Sequence, residues 1–255
     1  MKESSGIVEI KKVEGIILSE RDYSESSKII NVFTKEYGKI GIMAKGAKRI
    51  KSNISGSTRK FTYGFFHIYY KEDKLSTLIS VDIINSLKNI QRDITKISYV
   101  TFISELIEQI IKEEYYDEDI YNTFIEGIKK INEGFDPMVI TNIIELKMLD
   151  YLGVKPVIDE CSICGNKSDI VTLSSDKGGY ICKSCREDSD ALVSDKAIKL
   201  VRMFYYVDLS KISKLDISDS VKKEIDDFIN QYYDKYTGLY LKSKKFLDNL
   251  KKIGI

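Results

Sequence analysis

The spacing of the four cysteines is the most restrictive feature of the chain: two C-x2-C pairs are separated by 17 residues, with ligand candidates Cys161, Cys164, Cys182 and Cys185. A two-residue gap lets both thiolates of a tight turn point at one ion. Gly165 follows the second cysteine of the first pair and relieves the backbone strain of this turn. The segment Lys177–Tyr180 contains two glycines and can reverse the chain between the pairs. Four thiolates complete the coordination shell of a tetrahedral ion and leave no position for water or substrate. The spacing therefore predicts one Zn2+ with a structural role.

Two other chemistries also use paired cysteines. A thioredoxin-like redox site needs one C-x-x-C in a βαβ setting, which the surrounding pattern lacks. An iron–sulfur cluster takes four cysteines as well, but this paired spacing is that of a zinc ribbon. We therefore predict a zinc module at residues 158–188, whose folding depends on the metal because its apolar content is small.

Disulfides are not expected in this chain. No apolar run approaches the roughly 20 residues that cross a bilayer, and the first 15 residues lack the continuous apolar core of a signal peptide. We therefore expect a cytoplasmic protein without a membrane partner, in a compartment that keeps thiols reduced.

The first 84 residues have the pattern of a β-domain. Five short runs are rich in β-branched and aromatic residues: Val13–Ser19, Lys28–Thr34, Lys39–Lys45, Phe65–Tyr70 and Leu75–Ile84. The turn Lys35–Gly38 joins the second and third strands into one hairpin, and the turn Lys71–Lys74 joins the fourth and fifth strands into another. A long basic connection follows the third strand. This order predicts a small closed barrel of the oligonucleotide-binding (OB) type at residues 1–84. A five-stranded SH3-like barrel would give nearly the same pattern.

From Gln91 onward the apolar residues recur at helical spacing. Helices are predicted at 94–111, Tyr116–Ile131, Pro137 to near Gly153, Asp195–Tyr206, Ser218–Tyr236 and Ser243–Lys252. The predicted fold class is therefore α+β and multidomain, with an OB-fold barrel at 1–84 followed by an all-helical domain. The helical domain has a first part at 85–157 and a second part at 189–255, on either side of the zinc module.

The formal net charge of +1 hides an uneven distribution. Residues 1–80 contain 15 Lys or Arg against 9 Asp or Glu, a local balance of +6. Between Lys35 and Lys60 there are eight basic residues and one acidic residue, Glu36. A polyanion partner would explain this asymmetry, but for a charge run taken alone a solvated lysine-rich surface is the preferred interpretation.

Particular strings of the chain resemble the bacterial recombination mediator family RecO. The N-terminal strings Arg21–Ile30, Gly38–Ile40 and Ala44–Ser52 have the family's order and spacing, and Ala44–Arg49 (A-K-G-A-K-R) is the most specific part. Leu241–Leu247 resembles the family's closing lysine- and arginine-rich signature, and the cysteines fall where zinc-bearing members have theirs. The resemblance implies an OB-fold domain followed by a helical domain with an inserted zinc module.

The resemblance also implies a function. Members of the family bind single- and double-stranded DNA, anneal complementary strands and, with RecR, help to load the recombinase onto DNA coated with single-strand-binding protein. The implied partners are therefore DNA, RecR and the acidic, hydrophobic C-terminal tail of single-strand-binding protein, and the implied location is the nucleoid. Because some relatives lack the cysteines, the zinc is expected to support folding and not the annealing chemistry.

The basic residues of the barrel are the candidate DNA contacts. We predict that phosphates bind to a patch made of Lys45, Lys48, Arg49 and Lys51, widened by Lys28, Lys39, Arg59 and Lys60. Tyr37, Tyr69 and Phe65 could stack on bases, although barrel core is the favoured role of Phe65. A second group of lysines near the C-terminus could contact DNA or a partner, or form a solvated helix end: Lys242, Lys244 and Lys245.

No pattern in the sequence identifies an enzyme, and we predict no catalytic residues. The one histidine, His67, lies in an apolar-aromatic strand, and the glycines do not form a phosphate-binding loop. The acidic pairs Asp117/Asp119 and Asp226/Asp227 lack a third metal ligand, so a metal-dependent nuclease is disfavoured. An RNA-binding or ribosome-associated zinc protein remains the main alternative, because OB-folds and zinc ribbons also occur there.

Overall fold

The computed structural model describes residues 9–72, 74–111 and 117–252. Asp73 of one predicted turn, Tyr116 of one predicted helix, and residues 1–8 and 253–255 of the first and last predicted domains lie outside this description. The chain divides into two compact units. The barrel unit comprises residues 1–88 and 111–122, and the helical unit comprises residues 89–110 and 123–255.

Five strands form the barrel unit: β1 (Glu9–Asp22), β2 (Lys28–Thr34), β3 (Gly38–Ala44), β4 (Tyr63–Tyr70) and β5 (Ser76–Asn85). They close in the order β1-β2-β3-β5-β4, with β4 returning to pair with β1. The β3–β5 contact is parallel, while the other pairs are antiparallel. This is the topology of an OB-fold, and it distinguishes the barrel from the SH3-like alternative. The predicted fold class is confirmed.

Alternation of buried and outward residues along the strands produces the barrel core. Phe66 and Ile68 of β4 are fully buried, whereas Phe65 and His67 are partly exposed. Each fully buried side chain of this size contributes about 2–3 kcal/mol through removal from water. Gly64 is required where β4 approaches β5, because a Cβ at this position would lie 2.5 Å from the carbonyl oxygen of Asp82.

Seven helices occur in the part of the chain that the structure describes: α1 (Lys88–Gln91), α2 (Ile94–Ile110), α3 (Glu118–Glu133), α4 (Pro137–Tyr151), α5 (Asp195–Tyr206), α6 (Asp219–Tyr236) and α7 (Lys242–Lys252). The start of α4 follows from its sequence. Asp136 accepts hydrogen bonds from the amides of Met138 and Val139, and Pro137 takes the first helical position. After α4, Gly153 has a φ of +72° and ends the run.

The final helix is held by a contact that no local pattern predicts. Glu105 of α2 accepts hydrogen bonds from the backbone amides of Lys242 (2.9 Å) and Ser243 (2.8 Å), and also from the Ser243 hydroxyl. These amides lie at the start of α7, where a helix leaves its N–H groups unpaired and favours negative charge. Burial alone would raise the pKa of Glu105, but the hydrogen bonds from Ser243 and Lys242 outweigh it and lower the pKa.

Among the residues that the structure describes, no helix combines the length and apolarity that a membrane crossing requires.

Candidate metal centre and nucleic-acid interface

The four cysteines converge in the helical unit. The sulfurs of Cys161, Cys164, Cys182 and Cys185 all lie within 4.8 Å of one another. The sulfurs of Cys164 and Cys182 are 3.6 Å apart, much longer than a disulfide bond of about 2.05 Å. A tetrahedral ion with metal–sulfur bonds of about 2.3 Å separates its sulfurs by about 3.8 Å, so the cluster has the size of a tetrahedral metal site.

A hairpin and two tight turns hold these sulfurs in place. Strands β6 (Ile170–Ser174) and β7 (Gly179–Cys182) pair antiparallel and carry the second cysteine pair toward the first. In the first turn the Gly165 amide donates to the Cys161 carbonyl at 2.9 Å, and Gly165 has a φ of +72°. In the second turn the Cys185 amide donates to the Cys182 carbonyl at 3.1 Å. Gly165 therefore has the role that the spacing predicts.

The thiols of the cluster differ in acidity. Burial raises the pKa of Cys161, but hydrogen bonds from backbone groups of Cys182, Cys164 and Ile163 outweigh burial and lower the pKa to about 6. The hydrogen bond with the Cys164 thiol contributes most to raising the pKa of Cys185 to about 12. Several thiolates so close together repel each other, and a bound dication removes that repulsion. The donor set therefore suits a thiophilic metal ion.

Two adjoining loops form the first basic surface of the barrel unit, which we call the basic tip: the loop 23–27 after β1 and the segment 45–51 after β3. The Lys48 amide donates to the Ser26 carbonyl at 3.0 Å, and the Gly46 amide donates to the Ser27 hydroxyl at 3.3 Å. Gly46 has a φ of +72°, and Ala47 is buried in the barrel core. The tip is therefore a bonded structure anchored to the barrel.

The predicted DNA-contacting residues of the tip are not equivalent. Lys45, Arg49 and Lys51 are exposed, and none of them forms an ion pair with a residue that the structure describes. Lys48 instead lies 2.6 Å from a carboxylate oxygen of Asp22 and donates to the Ser24 carbonyl at 3.3 Å. Lys28, at the neighbouring start of β2, lies 2.6 Å from Glu20. Three of these five cations are thus available for phosphate.

The remaining predicted barrel cations lie elsewhere. Lys39 is near the opposite end of β3, five residues or about 17 Å along the strand from Ala44. Arg59 is exposed where the connection re-enters the barrel beside Ile17 of β1. The ammonium of Lys60 lies 4.7 Å from the ring centroid of Phe61. The structure therefore distributes the predicted patch over more than one surface of the barrel.

Lys39 lines a groove of about 430 Å3, which we call the lysine groove. The residues that line it come from β2, the turn before β3, β3 itself, the end of β4 and the segment before β5: Asn31, Tyr37, Lys39, Ile40, Gly41, Tyr70, Lys71, Lys74 and Leu75. The rings of Tyr37 and Tyr70 have centroids 4.8 Å apart, and the Lys11 ammonium lies 4.8 Å and 4.6 Å from them. The sequence does not predict a role for Lys71 and Lys74, because only the folded barrel places them in the same groove as residues of β3.

The other predicted contacts vary in exposure. Tyr69 is 42% exposed, while Phe65 is partly buried with the Lys12 ammonium 4.3 Å from its ring centroid. His67 lies 2.8 Å from Asp82 on the barrel surface. In the helical unit Lys242 and Lys245 are exposed, and Lys244 lies 2.7 Å from Asp234. The ammonium of Lys245 is 5.2 Å from the Tyr240 ring centroid.

A groove of about 670 Å3, which we call the α5 groove, lies between the cysteine-bearing hairpin and α5. Apolar, aromatic and basic side chains line it: Lys167, Ile170, Tyr180, Ile198, Lys199, Arg202, Met203, Tyr206 and Val207. Arg202 bonds to Asp159 at 2.8 Å, whereas Lys167 and Lys199 are exposed and form no ion pair within the described residues. The groove therefore combines an apolar surface with cations at its rim.

Comparison with known proteins identifies the family. Residues 7–87 match the model of the N-terminal region of recombination protein O, and residues 91–245 match the model of its C-terminal region. The chain belongs to the RecO family. It is 39% identical to the DNA repair protein RecO of Halalkalibacterium halodurans over 95% of this chain and 96% of that relative. The corresponding proteins of Listeria monocytogenes and Bacillus pumilus are each 36% identical over 95% of this chain.

The two RecO regions divide the chain close to the boundary between its compact units. The N-terminal match ends at residue 87 and the barrel unit's first segment ends at Lys88. The basic tip and the lysine groove therefore belong to the RecO N-terminal region, while the cysteine cluster and the α5 groove belong to the C-terminal region. The family resemblance that the sequence strings carry is confirmed.

Proposed function

We propose that the chain is a recombination and repair mediator that binds single- and double-stranded DNA and anneals complementary strands. Family membership gives it a role in DNA repair and recombination. The observation that carries the finer proposal is the basic tip on an OB barrel, where three cations are exposed and available for phosphate. Such contacts hold the DNA backbone without reading its sequence.

Tyr37 supports single-strand binding in the lysine groove. Its ring is 36% exposed beside Lys39, Lys71 and Lys74, so a base can stack while cations hold the flanking phosphates. Arg59 and Lys60 extend the proposed contacts beyond the tip. Lys242, Lys244 and Lys245 are proposed as further DNA or partner contacts, with Lys244 the weakest of the three because it is paired with Asp234.

The decisive experiment is annealing of two complementary labelled oligonucleotides with and without the protein. We expect acceleration that weakens as salt rises and that is reduced when Lys45, Arg49 and Lys51 are changed together to Ala. If the wild-type protein does not accelerate annealing, the proposal is wrong. Preferred binding of RNA over DNA of equal length would instead support an RNA-binding function.

The acidic, hydrophobic tail of single-strand-binding protein is the proposed ligand of the α5 groove. Lys199 and Lys167 suit its carboxylates, and Ile198 and Met203 suit an apolar terminal side chain. Anisotropy with a labelled tail peptide at low salt should show binding that Lys199→Glu weakens. Lys223→Glu, which reverses an exposed charge on α6, is the matched control. Equal loss in both variants would assign the effect to net charge and refute the groove.

Zn2+ is the proposed metal of the cysteine cluster, with Cys161, Cys164, Cys182 and Cys185 as its ligands. The family resemblance further extends the proposal to RecR as a partner in loading the recombinase. We propose that the protein acts without catalysis, by holding DNA and partners, in the cytoplasm and on the nucleoid. Metal analysis of the purified protein should find one zinc per chain, and the change Cys164→Ser should remove it.

A further inference from the structure

The basic tip carries two exposed side chains that phosphate binding does not explain. Ile50 is fully exposed, and Tyr23 is 63% exposed. Ile50 lies directly between the exposed cations Arg49 and Lys51, while Tyr23 lies between two residues that contact the Lys48 ammonium. The segment 45–51 therefore presents an aliphatic side chain between two exposed cations, and the loop 23–27 presents an aromatic side chain beside the Lys48–Asp22 ion pair.

Hydrogen bonds keep Ile50 at the outside of the tip. The Arg49 amide donates to the Gly46 carbonyl at 3.1 Å, and the Ser52 amide donates to the Arg49 carbonyl at 3.0 Å. The first turn ends directly before Ile50, the second turn contains it, and the burial of Ala47 fixes the segment on the barrel. Because the backbone on both sides is bonded, Ile50 is presented to solvent in a defined position.

We propose that the basic tip unstacks the bases of a bound strand. Arg49 and Lys51 hold phosphates on either side of one base step, Ile50 inserts between the two bases of that step, and Tyr23 stacks on a base at the side. Proteins that separate base steps use apolar side chains of this kind as wedges, and stacking on an aromatic ring compensates the lost base stacking.

This inference rests on the proposed DNA binding and goes beyond it. Charge alone predicts that the tip follows the backbone and leaves the bases stacked. A wedge instead predicts a change in the bases themselves. A measurement of base stacking therefore distinguishes the two mechanisms, whereas a measurement of affinity does not.

The test uses the full-length protein and a single strand that contains one 2-aminopurine, whose fluorescence rises when the base unstacks. At saturating wild-type protein we expect the fluorescence to rise. Ile50→Ser should lose this rise while its affinity keeps the same dependence on salt, and Ile50→Met should retain it. Tyr23→Ala should lower the affinity by about tenfold, the effect of losing one base–aromatic contact.

Leu192→Ser is the matched control, because Leu192 is an aliphatic residue of the helical unit that is 82% exposed. If Ile50→Ser raises the fluorescence as much as the wild type, the wedge is wrong although DNA binding stands. If the wild type does not bind DNA, the proposed function and the wedge both fail. Binding to phosphatidylserine vesicles that depends on Ile50, with an unchanged 2-aminopurine signal, would assign Ile50 to a lipid surface and overturn the wedge.

Discussion

The salt dependence of DNA binding should separate the free cations of the basic tip from the paired ones. The free set is Lys45, Arg49 and Lys51, which form no ion pair with described residues. The paired set is Lys48 of the tip and the neighbouring Lys28 at the start of β2, each 2.6 Å from a carboxylate oxygen. A paired lysine must give up its carboxylate before it can neutralise a phosphate, so it releases few counterions when DNA binds.

The expected magnitude follows from the number of free cations. Each phosphate contact on a single strand adds about 0.7 to the slope of log affinity against log salt, so loss of the three free cations should reduce that slope by about 2. Between 50 and 200 mM salt, the affinity of the triple variant should therefore fall roughly twentyfold less than the affinity of the wild type. Changing Lys28 and Lys48 together to Ala should alter the slope by less than about 1.

Fluorescence anisotropy with a labelled single strand at four salt concentrations measures both slopes. Circular dichroism and metal content should be unchanged in each variant, since all five side chains lie on the surface or at its edge. An equal slope change for the two variants would refute the distinction between free and paired cations. An unchanged slope in the triple variant would refute the basic tip as the DNA contact.

Three further predictions concern single positions. Asp22→Asn should free Lys48 and steepen the salt slope by about 0.7 in the same assay; an unchanged slope would contradict the role of this ion pair. Glu105→Gln should lower the melting temperature by about 2–4 °C because it weakens the contact with the start of α7. Since the folded state lowers the pKa of Glu105, this stabilisation is present above the ordinary pKa of about 4.3 and is lost as pH falls below it, so wild type and variant should converge in acid. Gly64→Ala should destabilise the barrel by about 3 kcal/mol in urea unfolding because its methyl group would meet the Asp82 carbonyl, whereas Gly56→Ala, which meets nothing within 4 Å, should be close to neutral.

The sequence predicts well those elements whose ends carry a local signal. Strand β2 and helix α5 occupy the predicted residues, Lys28–Thr34 and Asp195–Tyr206. Strand β1 is longer than predicted at both ends: Glu9–Lys12 pair with β4, and after a register shift between Ile17 and Ser19 the strand continues beside β2 to Asp22. Both extensions are set by neighbouring strands, so the pattern of β1 alone cannot contain them.

The candidate site shows the same limit. The cysteine cluster follows from spacing, because all four cysteines lie within the short segment 161–185. The pairing of Lys48 with Asp22 spans 26 residues, and the contact of Glu105 with Ser243 spans 138. The sequence alone does not distinguish between the lysines of the basic run as DNA contacts. Their division into free and paired cations depends on which carboxylates the barrel brings close, and this is a property of the folded chain.

The position of the cysteine cluster allows the two proposed binding activities to be separated by experiment. One side of the α5 groove comes from the hairpin, through Lys167, Ile170 and Tyr180, and the Tyr180 hydroxyl donates to the Ile198 carbonyl of α5. We propose that the hairpin folds around a bound metal, so removal of the metal should abolish binding of an acidic tail peptide in this groove. The barrel has its own core, and its basic tip contains no cysteine. Cys164→Ser should therefore retain annealing of protein-free strands and lose the response to the tail peptide. Loss of both activities with the barrel still folded would mean that the metal supports DNA binding directly, and this division would be wrong.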